Sequence, residues 1–114
     1  MMACRSGAAC RLPNGAFVIM VHVMARITAQ PASADAMREI LVELVAHTRN
    51  EPGCLNYELF EQDGVAHVFQ TVERWIDSAA ADAHMATPHV AQAIARGGAH
   101  FGAPPEIVRF TKIA

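Results

Sequence analysis

The sequence predicts an α+β domain of the ferredoxin-like kind, with elements running β-α-β-β-α-β and an antiparallel sheet carrying its helices on one face. Three observations predict it. Stretches rich in β-branched residues flank a stretch with helical apolar spacing. An Asp63-Gly64 pair joins two of the strand-like stretches as a hairpin. Proline and glycine mark most of the remaining joins. The chain has 114 residues, enough for one domain, and its 53% hydrophobic against 18% charged residues supply a core and exclude a disordered chain.

Residues 17–28 hold no Gly or Pro and read as one strand. Val21, Val23, Ala25 and Ile27 fall on one face of it; Met20, His22, Met24 and Arg26 fall on the other. Pro31 breaks the chain, and Ser33 or Asp35 can cap the helix after it. Its stripe is Met37, Ile40, Leu41, Leu44, Val45 and Thr48. That helix has to stop before Pro52, which lacks an N–H and restrains its predecessor. Residues 54–61 and 65–75 read as the second and third strands. Asp77 or Ser78 caps an alanine-rich helix running to about residue 86. Thr87 as cap and Pro88 as first helical residue start another helical piece, which ends at Gly97-Gly98. Pro105 opens a last strand over residues 106–113. Residues 1–16 are read as an N-terminal extension and 17–114 as the domain.

The second face of the first strand mixes methionines with His22 and Arg26. A half-apolar sheet face on so small a domain calls for a second sheet packed on it, and hence a homodimer. A net charge of −2 with interspersed signs argues against a basic stripe for nucleic acid and against a polybasic membrane patch. The first fifteen residues lack the apolar core of a signal peptide, and the longest apolar run is far too short to span a bilayer. The three cysteines, Cys4, Cys10 and Cys54, are too few and too scattered for a disulfide scaffold or a zinc site, so a reducing, cytoplasmic setting is expected.

Three segments, in this order and spacing, resemble the antibiotic-biosynthesis-monooxygenase family. They are Thr48-Arg49-Asn50-Glu51-Pro52-Gly53-Cys54-Leu55-Asn56-Tyr57-Glu58-Leu59, then Glu73-Arg74-Trp75 with Ile76-Asp77-Ser78-Ala79-Ala80, then Ala83-His84-Met85-Ala86-Thr87-Pro88-His89. The resemblance extends over about residues 17–113. It implies a dimeric ferredoxin-like α+β barrel. It also implies one of several activities: cofactor-free oxidation of quinols or polycyclic anthrones by molecular oxygen, haem degradation, or isomerisation of a phosphorylated sugar derivative. Haem-degrading relatives use an asparagine on the first strand, plus a tryptophan and an iron-ligating histidine in the second helical region. The matching positions here are Ala25, His84 and Ile94, so the haem role is not expected.

Oxygenation without flavin or metal needs an electron-rich phenolate or enolate that passes an electron to triplet oxygen. The protein's part is then deprotonation, orientation and a dry pocket. Histidine is the natural base near neutral pH, and His84, which matches the family's helical histidine, is the catalytic candidate. The competing reading is a structural histidine bonded to the chain near Thr87. His89 lies five residues on, across a helix break; the pair does not share a helix face, and no metal is expected. Tyr57 either hydrogen-bonds a substrate oxygen or packs in the core. Glu73 either orients a histidine or pairs with Arg74 or Arg49. Trp75 packs, or walls an aromatic ligand. Asn56 and Arg26 are polar strand candidates for the cavity lining, set against a solvated or interfacial position. A reactive Cys54 would require a lowered thiol pKa.

The leading expectation is a cofactor-independent monooxygenase taking a small aromatic substrate and oxygen. The alternatives are an isomerase of the same fold acting on a phosphorylated metabolite, and a non-catalytic dimer that binds a small molecule.

Overall fold

The computed structural model describes residues 10–11 and 17–114. Two short strands, β1 (Cys10–Arg11) and β2 (Phe17–Val18), pair antiparallel with each other. The main sheet contains β3 (Val21–Thr28), β4 (Cys54–Gln62), β5 (Val65–Trp75) and β6 (Glu106–Phe110) in the order β4-β5-β3-β6, antiparallel throughout. Helices α1 (Ala34–Thr48), α2 (Ser78–Met85) and α3 (Pro88–Gly97) complete the order read from the sequence. This is the split βαβ arrangement, in which the first and third strands of the motif lie side by side at the centre. Among the described residues no helix is long and apolar enough to cross a membrane.

Three local readings change. The stretch 17–28 is two strands rather than one, because Phe17–Val18 pairs with Cys10–Arg11 while only Val21–Thr28 joins the main sheet. The reading of residues 1–16 as an extension otherwise lies outside the described residues. Ser33 precedes α1 but makes no cap bond, and its hydroxyl meets Nδ1 of His100 at 3.0 Å instead. The last strand ends at Phe110, three residues earlier than the sequence suggests.

The turn after α1 helps to position the strands and helices beyond it. Backbone bonds from Glu51 N to Thr48 O (3.0 Å) and Cys54 N to Glu51 O (3.1 Å) wind the chain tightly there. Gly53 O then accepts from Ile76 N at 3.0 Å, tying this turn to the approach of α2. The contact is close enough to demand glycine: a Cβ on Gly53 would sit 2.3 Å from the Ala80 Cβ. At α2 the Asp77 carboxylate accepts from Ala80 N at 2.8 Å, a side-chain N-cap. Thr87 caps α3 in the same way, accepting from Val90 N at 3.4 Å, and its hydroxyl donates to His84 O at 2.7 Å. The joint between α2 and α3 is thus fixed on both sides.

The core lies between α1 and one sheet face. Ala25, Ile27 and Phe69 pack on Met37 and Leu41, and Val23, Tyr57 and Trp75 pack with Val45 and Ala81. The opposite sheet face carries Met24, Phe60, Val108 and Phe110, all at least 38% exposed.

Candidate active site

A cavity of about 110 Å³ opens between the helix-covered sheet face and α2, α3 and the chain near Phe101. One water needs roughly 10–15 Å³ by the same measure, so the space accepts an organic ring system rather than a few waters. Its walls are aliphatic and aromatic, from Val23, Ala25, Leu41, Trp75, Ile94 and Phe101 among others. The polar side chains reaching it are Tyr57, Thr71, Glu73, His84 and Arg109. Few polar groups in an apolar concavity is the ordinary make-up of a small-molecule site.

His84 is buried in the last turn of α2, 4.7 Å from the Trp75 ring centroid and 5.5 Å from that of Tyr57. Its Nδ1 lies 2.7 Å from Oε2 of Glu51. His89, in the first turn of α3, brings Nε2 to the same oxygen, also at 2.7 Å, and stacks on the His47 ring. An ionised carboxylate only accepts, so both imidazoles donate to it. That assigns the proton of neutral His84 to Nδ1 and leaves Nε2 as a bare acceptor. Nε2 has no hydrogen-bond partner among the described residues, and its ring lines the cavity. A carboxylate that fixes tautomer and ring orientation is the arrangement by which proteins present an imidazole as a base.

Glu73 is 4% exposed and lines the same cavity. Its carboxylate accepts from the Thr71 hydroxyl at 2.6 Å and from Trp75 Nε1 at 2.9 Å. It therefore neither orients a histidine nor pairs with Arg74 or Arg49, and is held by neutral donors instead. Arg49 turns to the Tyr57 carbonyl at 3.1 Å. Burial, with smaller contributions from the Glu73, Cys54 and Glu51 charges, pushes the Tyr57 phenol far above its ordinary range, so it stays a neutral donor. Burial likewise pushes the Cys54 thiol up, helped by Glu51 and Glu73. That is the opposite of what an activated nucleophile needs. Arg109 is engaged by Asp82 at 2.6 Å.

Four of the residues singled out in the sequence, His84, Tyr57, Glu73 and Trp75, thus meet at one cavity. His89 does not line it; it reaches the site through the shared Glu51 oxygen and through its own ring, whose centroid stands 6.1 Å from that of His84. Asn56 and Arg26 are on the other face of the sheet, because strand alternation sends their side chains away from Tyr57 and Ala25. Asn56 donates to Glu58 at 3.0 Å and Arg26 to Gln62 at 3.0 Å. Their expected place in the lining is corrected accordingly. Glu51 stands in the first family segment but is not among the site candidates read from the sequence, because its partners lie 33 and 38 positions away. Nor does a shared helix face join His84 and His89: they stand on different helices, and the carboxylate is what brings them together. Ligand atoms of Glu51, His84 and His89 all lie within 4.8 Å of one another, so this cluster is the one among the described residues able to hold a metal ion.

Comparison with known proteins places this geometry in context. Residues 20–96 match the sequence model of the antibiotic biosynthesis monooxygenase family. YcnE of Bacillus subtilis (strain 168), which carries a provisional monooxygenase name, is 33% identical over 90 residues, covering 79% of this chain and 95% of that protein. Rv0793 of Mycobacterium tuberculosis, named in the same way, is 37% identical over 70 residues, covering 60% of this chain and 67% of its own. The crystal structure of PA3566 from Pseudomonas aeruginosa superimposes with a TM-score of 0.78 at 33% identity, covering 83% of this chain and 95% of that one. With the family pattern spanning most of the sequence and the fold shared with solved relatives, the chain belongs to the antibiotic biosynthesis monooxygenase family.

Proposed function

We propose that this protein is a cofactor-independent monooxygenase that oxidises a small quinol or polycyclic phenol with molecular oxygen. The observation that carries the proposal is a carboxylate-bonded imidazole turned toward an apolar, aromatic-walled cavity. Nε2 of His84 takes the phenolic proton of the bound substrate, and Glu51 stabilises the imidazolium that results. The electron-rich phenolate then reacts with oxygen directly, one oxygen atom entering the product and the other leaving as water. Tyr57, kept neutral by burial, donates to a substrate oxygen on which charge collects, and Trp75 walls the ring. The test is oxygen-electrode uptake by tag-free, metal-free protein with a panel of hydroquinones and anthrones. Uptake that His84→Ala abolishes supports the reading; no uptake above that variant with any substrate ends it.

An isomerase acting on a phosphorylated metabolite is the weaker reading. A phosphoryl group calls for convergent cationic donors, and the lining offers one arginine, Arg109, already bonded to Asp82, alongside the buried Glu73 carboxylate. Turnover persisting without oxygen would reverse that preference. A non-catalytic binding dimer would give ligand-dependent thermal stabilisation with no product in mass spectra.

We further propose that the chain works as a homodimer in the reducing cytoplasm, the latter on the basis of its cysteine usage. Met24, Phe60, Val108 and Phe110 form an apolar patch on the sheet face away from the helices, and a second copy of that face would cover it. Light scattering at micromolar concentration tests it, and a monomeric mass counts against the dimer.

A further inference from the structure

We propose that Glu51, His84 and His89 form a site for a zinc-like divalent transition-metal ion, and that an ion held there turns the cavity histidine from a proton acceptor into a proton donor. Binding at this site does not depend on the oxygenase reading; the inhibition it entails rests on that reading.

The donor set points to the class of ion. Two imidazoles and one carboxylate suit zinc and its first-row neighbours, whereas magnesium and calcium take all-oxygen sets. Three protein ligands with a further position open is the pattern of accessible rather than purely structural zinc sites. The spacing fits. Glu51 Oε2 is 2.7 Å from each nitrogen, and the three atoms lie within 4.8 Å of one another. Around an ion with bonds of about 2.0–2.2 Å, neighbouring ligand atoms stand about 3.0–3.4 Å apart. Small side-chain rotations therefore admit an ion where the two N–H protons now lie.

The ligands are also held before any ion arrives. The His84 ring is packed beside Trp75 and Tyr57, the Glu51 turn is tied by backbone bonds to α1 and to Ile76, and His89 lies against His47. The side chains of Glu51, His84 and His89 are 13%, 6% and 19% exposed, so the carboxylate charge faces few water molecules that an ion would have to displace.

The consequence for the cavity follows from imidazole chemistry. A neutral imidazole that ligates through Nδ1 carries its proton on Nε2. In His84 that is the nitrogen not bonded to Glu51, on a ring that lines the cavity. The proton leaves Nδ1 and appears on Nε2, no bond to carbon changes, and nothing is oxidised or reduced. With the ion bound, His84 has no lone pair to offer a phenol.

The experiment uses tag-free protein with Cys4, Cys10 and Cys54 replaced by serine, so that thiols do not compete for metal. Isothermal calorimetry with zinc chloride is expected to give one ion per chain, and magnesium chloride no heat of binding. His89→Gln and Glu51→Gln are each expected to weaken zinc at least tenfold. His89→Gln disturbs the fold least, because His89 is the most exposed of the three, and circular dichroism confirms that each variant is folded. Absence of saturable zinc binding, or unchanged affinity in folded His89→Gln, overturns the site. Calorimetry decides this whether or not any phenol supports oxygen uptake. Where uptake is established, stoichiometric zinc is expected to abolish it in the cysteine-free protein, and uptake unaffected by bound zinc overturns the acceptor-to-donor switch.

Discussion

Glu51→Gln probes the centre of the site with little change of volume. Oε2 of Glu51 accepts two N–H bonds at 2.7 Å, and the residue is largely buried. Hydrogen bonds to a charged group contribute about 1.5–3 kcal/mol each, and the glutamine oxygen retains one neutral bond of about 1 kcal/mol. Because the two bonds share an acceptor, they do not simply add. The expected net loss is about 2–4 kcal/mol. For a chain of 114 residues, unfolding entropy near the midpoint gives about 4 °C per kcal/mol, so the melting temperature should fall by roughly 8–16 °C. The effect on catalysis is separate. Where the amide NH₂ faces Nδ1 it donates, the His84 proton moves to Nε2, and the cavity loses its acceptor. A comparable carboxylate-to-amide change in serine proteases costs about 10⁴-fold, so a fall of roughly 10²–10⁴-fold in oxygen uptake is expected here. Urea denaturation reads the stability, and long-range ¹H–¹⁵N spectra read the tautomer with no substrate required. A midpoint within about 1 kcal/mol of wild type, together with an unchanged Nδ1–H signal, would refute the reasoning.

Other consequences are open to direct measurement. Gly53→Ala forces a Cβ to 2.3 Å from Ala80, so it should cost about 1–3 kcal/mol in urea denaturation. Gly64→Ala, with open space but a φ of 75°, should cost only about 1 kcal/mol from its backbone. The chain has one tyrosine, so ultraviolet absorbance titrates Tyr57 alone. The native phenol should stay protonated well past its ordinary value of about 10. The native state then keeps a proton that the unfolded chain releases, so stability should decline as pH rises above about 10; a native midpoint near 10 would count against the buried position. For the proposed homodimer, Phe60→Asp on the apolar sheet face should shift light scattering from dimer to monomer while the circular dichroism spectrum is retained.

The elements that were legible share a property: local chemistry decides each of them. Asp77 and Thr87 cap their helices because each carries a side-chain oxygen one residue before a free N–H turn. Asp63-Gly64 turns because only glycine takes a φ of 75° there at no cost. Ser33 shows the limit of such signals. It stands where a cap belongs, yet its hydroxyl goes to His100, 67 positions away. The break at residues 19–20 was invisible for a similar reason, since continuous apolar character does not tell which partner each half of a strand will find.

What the sequence by itself determined was the order of the main strands and helices and the family pattern; it also named His84, Tyr57, Glu73 and Trp75 among its cavity candidates, each beside a structural alternative. Period-two alternation separates Tyr57 from Asn56 on β4 and sets Glu73 and Trp75 on one face of β5, without saying which face is covered. Only the tertiary structure decided the remainder. Whether Arg26 and Asn56 meet the cavity depends on which sheet face the helices cover, a choice fixed by packing the whole α1 stripe. Glu51 became the partner of both histidines because the turn after α1 is tied to Ile76 and pressed against Ala80 at Gly53, which sets the carboxylate beside the α2–α3 joint. Hydrogen bonds across 33 and 38 positions arise from how separate elements pack together, and no periodicity along the chain encodes them.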